Sequence, residues 1–223
     1  MTLILNILHK DMSILAADRK ARAEWPVSSM SFTTVPASSG QVINDFNKFT
    51  MNSSRTLALG IAGCTQDHCY TQAIEQSDNI DEGLRTIRKH IENFVPIYDR
   101  ANLSTLTSFM TNEGIASFFD QNMGIYFTSK YLFSPIEIQT RLHRATDEVK
   151  IFRAGSGSKY FEGKDGLASI DSFIFSAKNS RSPEECITWL QDVYKRVSDC
   201  DPDSGAEPVF LVSTRSNPEF RWI

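Results

Sequence analysis

This sequence of 223 residues has little cysteine, no long apolar run and no large excess of one charge. Its four cysteines are too few to serve as the disulfide framework of a chain this long (Cys64, Cys69, Cys186 and Cys200). The first apolar run, residues 3–8, is far too short to cross a bilayer, and no positively charged segment precedes it as in a secretory signal. We therefore expect a cytoplasmic protein that does not enter the membrane.

The charge balance also narrows the class of protein. The chain has 23 Lys and Arg residues against 27 Asp and Glu residues, a formal net charge of −4, whereas domains that bind nucleic acids usually present a basic surface. Hydrophobic residues make up 41% of the chain, which is enough for a packed core and too much for a disordered protein. We expect one large domain over residues 1–223 that does not bind nucleic acid.

Two apolar runs near the start predict a β-hairpin. Nearly every position from 2 to 8 is apolar, which predicts a strand covered on both faces. A polar break at 9–11 separates this run from a second one at 12–17. The segment 19–44 is rich in serine and contains two prolines, so we expect a loop with short strands there.

The remaining patterns come in blocks of strands and helices. Further strands are predicted at 46–49, 56–61, 124–133, 136–142, 149–154 and 209–213. Apolar residues at helical spacing between 66 and 94 predict one or two helices that end at Pro96. Ser182, Pro183 and Glu185 match a capping box, which predicts a helix ending near Cys200. This block order favours a layered α+β protein over a parallel βαβ sheet.

A threonine in second position has a chemical use if the initiator methionine is removed. Bacterial processing generally removes methionine before a small residue, and Thr2 would then have a hydroxyl nucleophile and a free α-amino group on one residue. The pKa of an α-amino group is about 7.7–8.0, so part of it is neutral near pH 7 and can accept the hydroxyl proton. Such a site also needs a nearby cation, an anion that holds the cation, and backbone N–H donors for an oxyanion.

Four short motifs follow one another along the chain in an order typical of one family. They are Ala-x-Asp at 16–18, a lysine followed 12 to 19 residues later by GIAGCTQD at 60–67, GSGS at 155–158, and DPDSG at 201–205. On these motifs the sequence resembles the proteasome β-subunit-type peptidases, which are N-terminal nucleophile hydrolases. Among bacterial members it is similar to the HslV-type peptidase, the Anbu group and the β-proteobacterial proteasome homologue. The resemblance implies a four-layer α/β/β/α sandwich of two antiparallel sheets.

The resemblance also assigns catalytic roles. It implies that Thr2 is the nucleophile, that Lys48 is the cation beside the hydroxyl, and that Asp18 is the carboxylate that holds this lysine. Gly63 would supply an N–H to the oxyanion, next to a helix N-terminus whose dipole favours negative charge.

Further site residues follow from the same motifs. Ser156 matches a serine whose hydroxyl bonds near the terminal amine, and Asp201 and Ser204 match residues of the network around the threonine. The resemblance implies that Ile61 lies at the floor of the main substrate pocket and that Ala21 and Thr65 lie near its wall. An apolar pocket of middle size favours apolar side chains on the acyl side of the cleaved bond.

The resemblance implies a threonine-type endopeptidase that acts on peptides or unfolded proteins and needs no metal or organic cofactor. Family members assemble as stacked rings, so a homo-oligomeric double ring is expected, with an ATPase unfoldase as a candidate partner. The chain departs from the family after Asp18, first in having Arg19 where a small residue is usual. Asp18 and Lys48 are 30 positions apart, roughly twice the usual separation, which implies an insertion within about 19–44.

Other interpretations stay open. The chain could be an N-terminal nucleophile amidase acting on a small amide, or a catalytically silent scaffold subunit that only forms rings. A zinc site at Cys64, His68 and Cys69 is disfavoured because these residues cross a predicted strand–helix junction and lack a second pair of ligands. A phosphate-binding loop is disfavoured because the Walker spacing before Lys159 is absent.

Overall fold

The computed structural model of the chain describes residues 2–23, 41–44, 46–63, 68–98, 112–133, 138–161, 182–201 and 204–223. In chain order the strands are β1 (Ile4–His9), β2 (Met12–Asp18), β3 (Ala21–Ala23), β4 (Gln41–Ile43), β5 (Phe49–Met51), β6 (Leu57–Gly63), β7 (Asn112–Asp120), β8 (Ile125–Phe133), β9 (Ile138–Arg144), β10 (Lys150–Ala154), β11 (Pro208–Thr214) and β12 (Asn217–Trp222). The α-helices are α1 (His68–Glu75), α2 (Ile80–Tyr98) and α3 (Pro183–Cys200), and a short 3-10 helix covers Ser156–Phe161.

In the described part of the chain, the strands form two five-stranded sheets and a short pairing of β3 with β4. The first sheet has the order β10-β1-β2-β11-β12, and the second has the order β5-β6-β7-β8-β9. Neighbouring strands are antiparallel in both sheets. Two antiparallel sheets with a small number of helices confirm the α+β class predicted from the sequence.

Both strands of the β1–β2 hairpin are buried along their whole length, as their apolar pattern predicts. Successive side chains of a strand point to opposite faces of the sheet. Leu5 and Ile7 accordingly join a cluster with residues of α3, whereas Ile4 joins a cluster shared with the second sheet. The first strand is therefore covered on both faces.

Helix α3 packs its apolar stripe on the first sheet. Leu190, Tyr194 and Val197 share a buried cluster with Ile14 and other hairpin residues. The predicted capping box is present at the helix start. The Ser182 hydroxyl accepts the Glu185 N–H at 3.3 Å, and the Glu185 carboxylate accepts the Ser182 N–H at 3.1 Å. Two of the free backbone N–H groups at this end are thus satisfied.

The second sheet has apolar residues on both faces. Ala58 and Ile115 belong to the cluster shared with Ile4 of the first sheet, whereas Leu59 belongs to a cluster with Ile74 of α1. Helix α2 contributes residues to the latter cluster. Burial of one sheet face against helices and the other against a second sheet explains why β6 consists of apolar and glycine residues throughout.

A chain of buried polar side chains also joins the two sheets. The Thr128 hydroxyl donates to Asn6 Oδ1 at 2.8 Å, Asn6 Nδ2 donates to the Ser13 hydroxyl at 2.9 Å, and the hydroxyls of Ser13 and Ser117 lie 2.6 Å apart. Buried polar groups are costly when unpaired, so these bonds favour one relative position of the sheets. That position matters because the candidate site takes residues from both.

Three features differ from the sequence expectation. Helix α2 continues two residues past Pro96 to Tyr98, although a proline here removes one backbone hydrogen bond to the preceding turn. The pattern does not predict β7, since Glu113, Gly114 and Ser117 interrupt its apolar residues. It also misses β12, in which three of the six residues are polar.

The segment proposed as an insertion is described only at its ends, where β3 and β4 pair; residues 24–40 lie outside the described part. None of the described helices combines the length and apolar character that a transmembrane span requires.

Candidate active site

The strand register brings Thr2, Asp18 and Ser156 to one end of the first sheet. Ile4 pairs with Ala17 of β2 on one side and with Ala154 of β10 on the other. Thr2, two positions before Ile4, therefore lies between the end of β2, where Asp18 stands, and the GSGS turn after β10. Residues far apart in the sequence meet here because β1 begins at the same end of the sheet at which β2 and β10 finish.

Asp18 connects this strand end to Lys48. Its Oδ1 atom accepts a hydrogen bond from Lys48 Nζ at 2.7 Å and another from the Leu3 N–H at 3.0 Å. The side chains of Asp18 and Lys48 are 0% and 2% exposed, so the ion pair is shielded from water. One carboxylate thus positions both the lysine cation and the backbone next to Thr2.

Burial lowers the pKa of Lys48 below its ordinary value, and the negative charge and hydrogen bond of Asp18 oppose this shift. A buried ion pair of this kind is rarely a net gain in stability, because both charges lose their hydration. Its presence beside Thr2 therefore favours a chemical role.

The GSGS turn holds Thr2 from the other side. The Thr2 N–H donates to the Ser156 hydroxyl at 3.3 Å, and the Gly157 N–H donates to the Thr2 carbonyl oxygen at 3.1 Å. These two bonds fix the backbone of Thr2 at both of its polar groups. The predicted neighbourhood of Thr2 and Ser156 is present in this geometry.

Gly155, the first residue of the turn, has a conformation and a packing that favour glycine. Its φ angle is +89°, and a Cβ atom there would lie 2.3 Å from the Thr2 carbonyl oxygen and 2.9 Å from Ala62 Cβ. The absence of a side chain lets the turn approach Thr2 and the end of β6 together.

Replacing Gly155 by alanine should therefore cost more stability than replacing Gly124, which serves as a matched control. Both glycines have positive φ angles, so alanine is strained by about 1–2 kcal/mol at either position. A Cβ atom on Gly124 would meet nothing within 4 Å, whereas one on Gly155 would overlap Thr2. We expect Gly155→Ala to lower the free energy of unfolding by about 1–3 kcal/mol more than Gly124→Ala, measured by denaturant unfolding. Equal losses in the two variants would contradict the close approach.

Asp201, Ser204 and Gly205, the described residues of the DPDSG motif, lie near Asp18. Asp201 caps the end of α3, its carboxylate accepts the Tyr160 hydroxyl at 3.2 Å, and its carbonyl oxygen accepts the Ser204 N–H at 2.9 Å. A Cβ on the neighbouring Gly205 would lie 3.3 Å from Asp18 Cβ, which places this turn against the acidic residue. Within the described ranges, Asp18 Oδ2 and the buried Ser204 hydroxyl have no hydrogen-bond partner.

The remaining predicted residues are placed less completely. Gly63 ends β6 opposite Asn112, and residues 64–67, which include Thr65, lie outside the described part. Ile61 donates its N–H to the Lys48 carbonyl oxygen at 3.1 Å, and its side chain is buried in the cluster with α1 and α2. Ala21 pairs with Ile43 in the short β3–β4 ribbon. The substrate pocket of these three residues stays a prediction.

The sequence patterns do not identify two residues that contact this edge. The Tyr194 hydroxyl donates to the carbonyl oxygens of Ala16 and Leu3, at 2.7 and 3.1 Å, and so joins α3 to both strands of the hairpin. Burial raises the pKa of Tyr194 well above its ordinary value, so its hydroxyl stays a neutral donor. Glu113 accepts the Gly155 N–H at 2.7 Å. A tyrosine on the apolar face of the predicted helix was the available indication for Tyr194, whereas the local pattern gave none for Glu113.

Comparison with known proteins identifies the fold. No protein-family model matches the sequence, and no curated protein matches it. Among solved structures, a mutant of Anbu from Hyphomicrobium sp. strain MC1 matches with a TM-score of 0.59 and 13% sequence identity, over 100% of this chain and 85% of that one. Anbu is a proteasome-like bacterial N-terminal nucleophile hydrolase. The resemblance stated from the sequence motifs is thus confirmed at the level of the fold.

Proposed function

We propose that this chain is a threonine-type endopeptidase whose nucleophile is the hydroxyl of Thr2 after removal of Met1. The observation that carries the proposal is the buried Asp18–Lys48 pair, hydrogen-bonded to the backbone N–H of Leu3 directly beside Thr2. The proteasome-like fold of the Anbu neighbour supports the same reaction class.

In the proposed reaction, the Thr2 hydroxyl attacks a peptide carbonyl carbon and its proton passes to the free amine of the same residue. The Lys48 cation favours the developing alkoxide, and Asp18 keeps the lysine charged in spite of its burial. The Gly63 N–H stabilises the oxyanion, and the amine returns the proton to the leaving nitrogen. Water then hydrolyses the ester on Thr2 and releases the acyl half of the substrate.

The Ser156, Asp201 and Ser204 side chains complete the proposed network around the amine. Ser156 Oγ already accepts the Thr2 N–H, and the Ser204 hydroxyl is buried without a hydrogen-bond partner among the described residues. A charged or neutral amine in the place of the Thr2 amide would have further protons to donate to such oxygens.

We further propose a four-layer α/β/β/α arrangement, stacked homo-oligomeric rings and a cytoplasmic location. Three buried clusters support the layers, since they link α3 to the first sheet, the first sheet to the second, and the second to α1 and α2. The rings and an ATPase unfoldase as partner are inferred by analogy with the resembled family. Light scattering of the purified protein gives the mass that tests the rings.

The proposal is tested by intact-mass analysis combined with labelling by a peptide that bears an electrophilic β-lactone. We expect the purified protein to lack Met1, to hydrolyse fluorogenic peptides, and to gain one label that peptide mapping places on Thr2. Turnover of small amides without turnover of peptides would instead identify the amidase alternative. Full retention of Met1 together with neither label nor turnover would overturn the proposal in favour of a silent scaffold subunit.

A further inference from the structure

Glu113 forms a hydrogen bond between the two sheets at the end of the first sheet where Thr2 lies. It lies on β7, opposite Ala62 of β6, and therefore belongs to the second sheet. Its Oε2 atom accepts the N–H of Gly155, which follows β10 of the first sheet, at 2.7 Å. Directly opposed residues in an antiparallel pair point to the same face, so Glu113 reaches across the sheet interface beside Ala62.

Three successive residues of the turn connect Glu113 to Thr2, and Gly155, which donates its N–H to Glu113, is the first of them. The next residue, Ser156, accepts the Thr2 N–H through its hydroxyl, and Gly157 donates its N–H to the Thr2 carbonyl oxygen. A Cβ on Gly155 would overlap the same carbonyl oxygen, which shows how closely the turn approaches the threonine. A displacement of Gly155 would therefore move both of the groups that hold Thr2.

We propose that Glu113 is a positioning residue for the Thr2 nucleophile, acting through the backbone of Gly155. This inference rests on the proposed function, since it gives Glu113 a part in orienting the same threonine. A hydrogen bond between an ionised carboxylate and a backbone N–H is stronger than a neutral one, which suits an acidic residue for this task. Displacement of a reacting group by about 1 Å can cost about 100-fold in rate.

Lys130 allows the hydrogen bond from Gly155 to Glu113 to be tested separately from the charge interaction of Glu113. Its Nζ atom lies 3.9 Å from Glu113 Oε2, and the two side chains are 42% and 36% exposed. An ion pair this exposed contributes little, so the carboxylate depends mainly on its bond to Gly155 for its position. Lys130→Met removes the ion pair and leaves that bond in place.

The experiment compares Glu113→Ala, Glu113→Gln and Lys130→Met with the wild type in peptide hydrolysis. Because glutamine keeps an oxygen acceptor of the same length, we expect Glu113→Ala to lower kcat by about tenfold or more with KM within twofold, and Glu113→Gln to restore most of it. We expect Lys130→Met to keep kcat within threefold. Hydrogen exchange of the Gly157 amide should be faster in Glu113→Ala alone, which reports the loosened turn independently of activity.

Several outcomes would overturn the inference. They are a Glu113→Ala kcat within twofold of the wild type, a change confined to KM, a Glu113→Gln variant no better than Glu113→Ala, or unchanged exchange at Gly157. A wild-type protein that neither turns over peptides nor labels Thr2 would overturn the proposed function itself, and the catalytic part of this inference with it. In that event the exchange measurement still decides whether Glu113 holds the turn.

Discussion

Replacing Thr2 by alanine is expected to lower kcat/KM for peptide hydrolysis by about a thousandfold or more, because the proposed nucleophile is then absent. Alanine is also a small residue, so removal of Met1 should proceed as in the wild type. The fold should be preserved, since Thr2 lies outside β1 and the hydrogen bonds that join it to the GSGS turn use only its backbone atoms. Fluorogenic peptide hydrolysis and intact mass, measured on the same preparations, check both points.

Thr2→Ser provides the matched variant, because serine keeps the hydroxyl and the amine on one residue. We expect it to retain activity well above that of Thr2→Ala and to accept the electrophilic label at position 2. Activity of Thr2→Ala within tenfold of the wild type would exclude Thr2 as the nucleophile.

Replacing Asp18 by alanine is expected to lower the free energy of unfolding by about 3–5 kcal/mol, since it leaves the Lys48 cation buried without its partner. The Leu3 N–H loses its acceptor in the same variant. Denaturant unfolding measures the loss. Peptide hydrolysis should also disappear, because neither the lysine nor the backbone beside Thr2 is held in place.

Two comparison variants make this prediction specific. The double variant Asp18→Ala/Lys48→Met should be more stable than Asp18→Ala alone, because the unpaired buried charge is gone, yet it should be equally inactive. Asp192→Ala, which breaks the exposed pair with Arg196, should change stability by less than about 0.5 kcal/mol. An Asp18→Ala variant as stable as Asp192→Ala would contradict the assigned burial of the pair.

The same pair has a signature in the pH dependence of activity. Activity requires the protonated lysine in the proposed mechanism, so it falls as the pH rises through the pKa of Lys48. Burial lowers this pKa below 10.5 and the Asp18 carboxylate opposes the lowering. In Asp18→Asn the opposing charge is absent, and any residual activity should decline at a lower pH than in the wild type. An alkaline limb that moves upward or stays fixed would contradict this role of Asp18.

Much of the fold could be predicted because it depends on local patterns. The unbroken apolar run of β1 reflects cover on both faces, and the Ser182 capping box depends on residues within one turn of α3. Strand β7 could not be predicted in the same way. Its glycine and small residues are favoured by close approach to neighbours such as Phe133, whose ring would contact a Cβ on Gly114 at 2.7 Å. Such a neighbour is not visible in the sequence around position 114.

In the candidate site, too, local motifs could be predicted from the sequence and contacts between distant residues could not. Motif order pointed to Thr2, Asp18 and Lys48, and the structure joins Asp18 to the lysine and to the residue after Thr2. Glu113 and Tyr194 belong to no motif, because each acts through a backbone atom of a distant strand. A contact to a backbone group constrains the position of a side chain, and the local sequence around that side chain gives no sign of its partner.

The hydrogen bonds around Leu3 determine when during folding the candidate site is assembled. Leu3 is fully buried, its N–H bonds to the buried Asp18, and its carbonyl oxygen accepts the Tyr194 hydroxyl from α3. Segments held in this way open only when much of the domain opens with them. In a nascent or partly unfolded chain the proposed site of Thr2, Asp18 and Lys48 is consequently not assembled. On the proposed function, activity therefore requires a folded domain in addition to the removal of Met1.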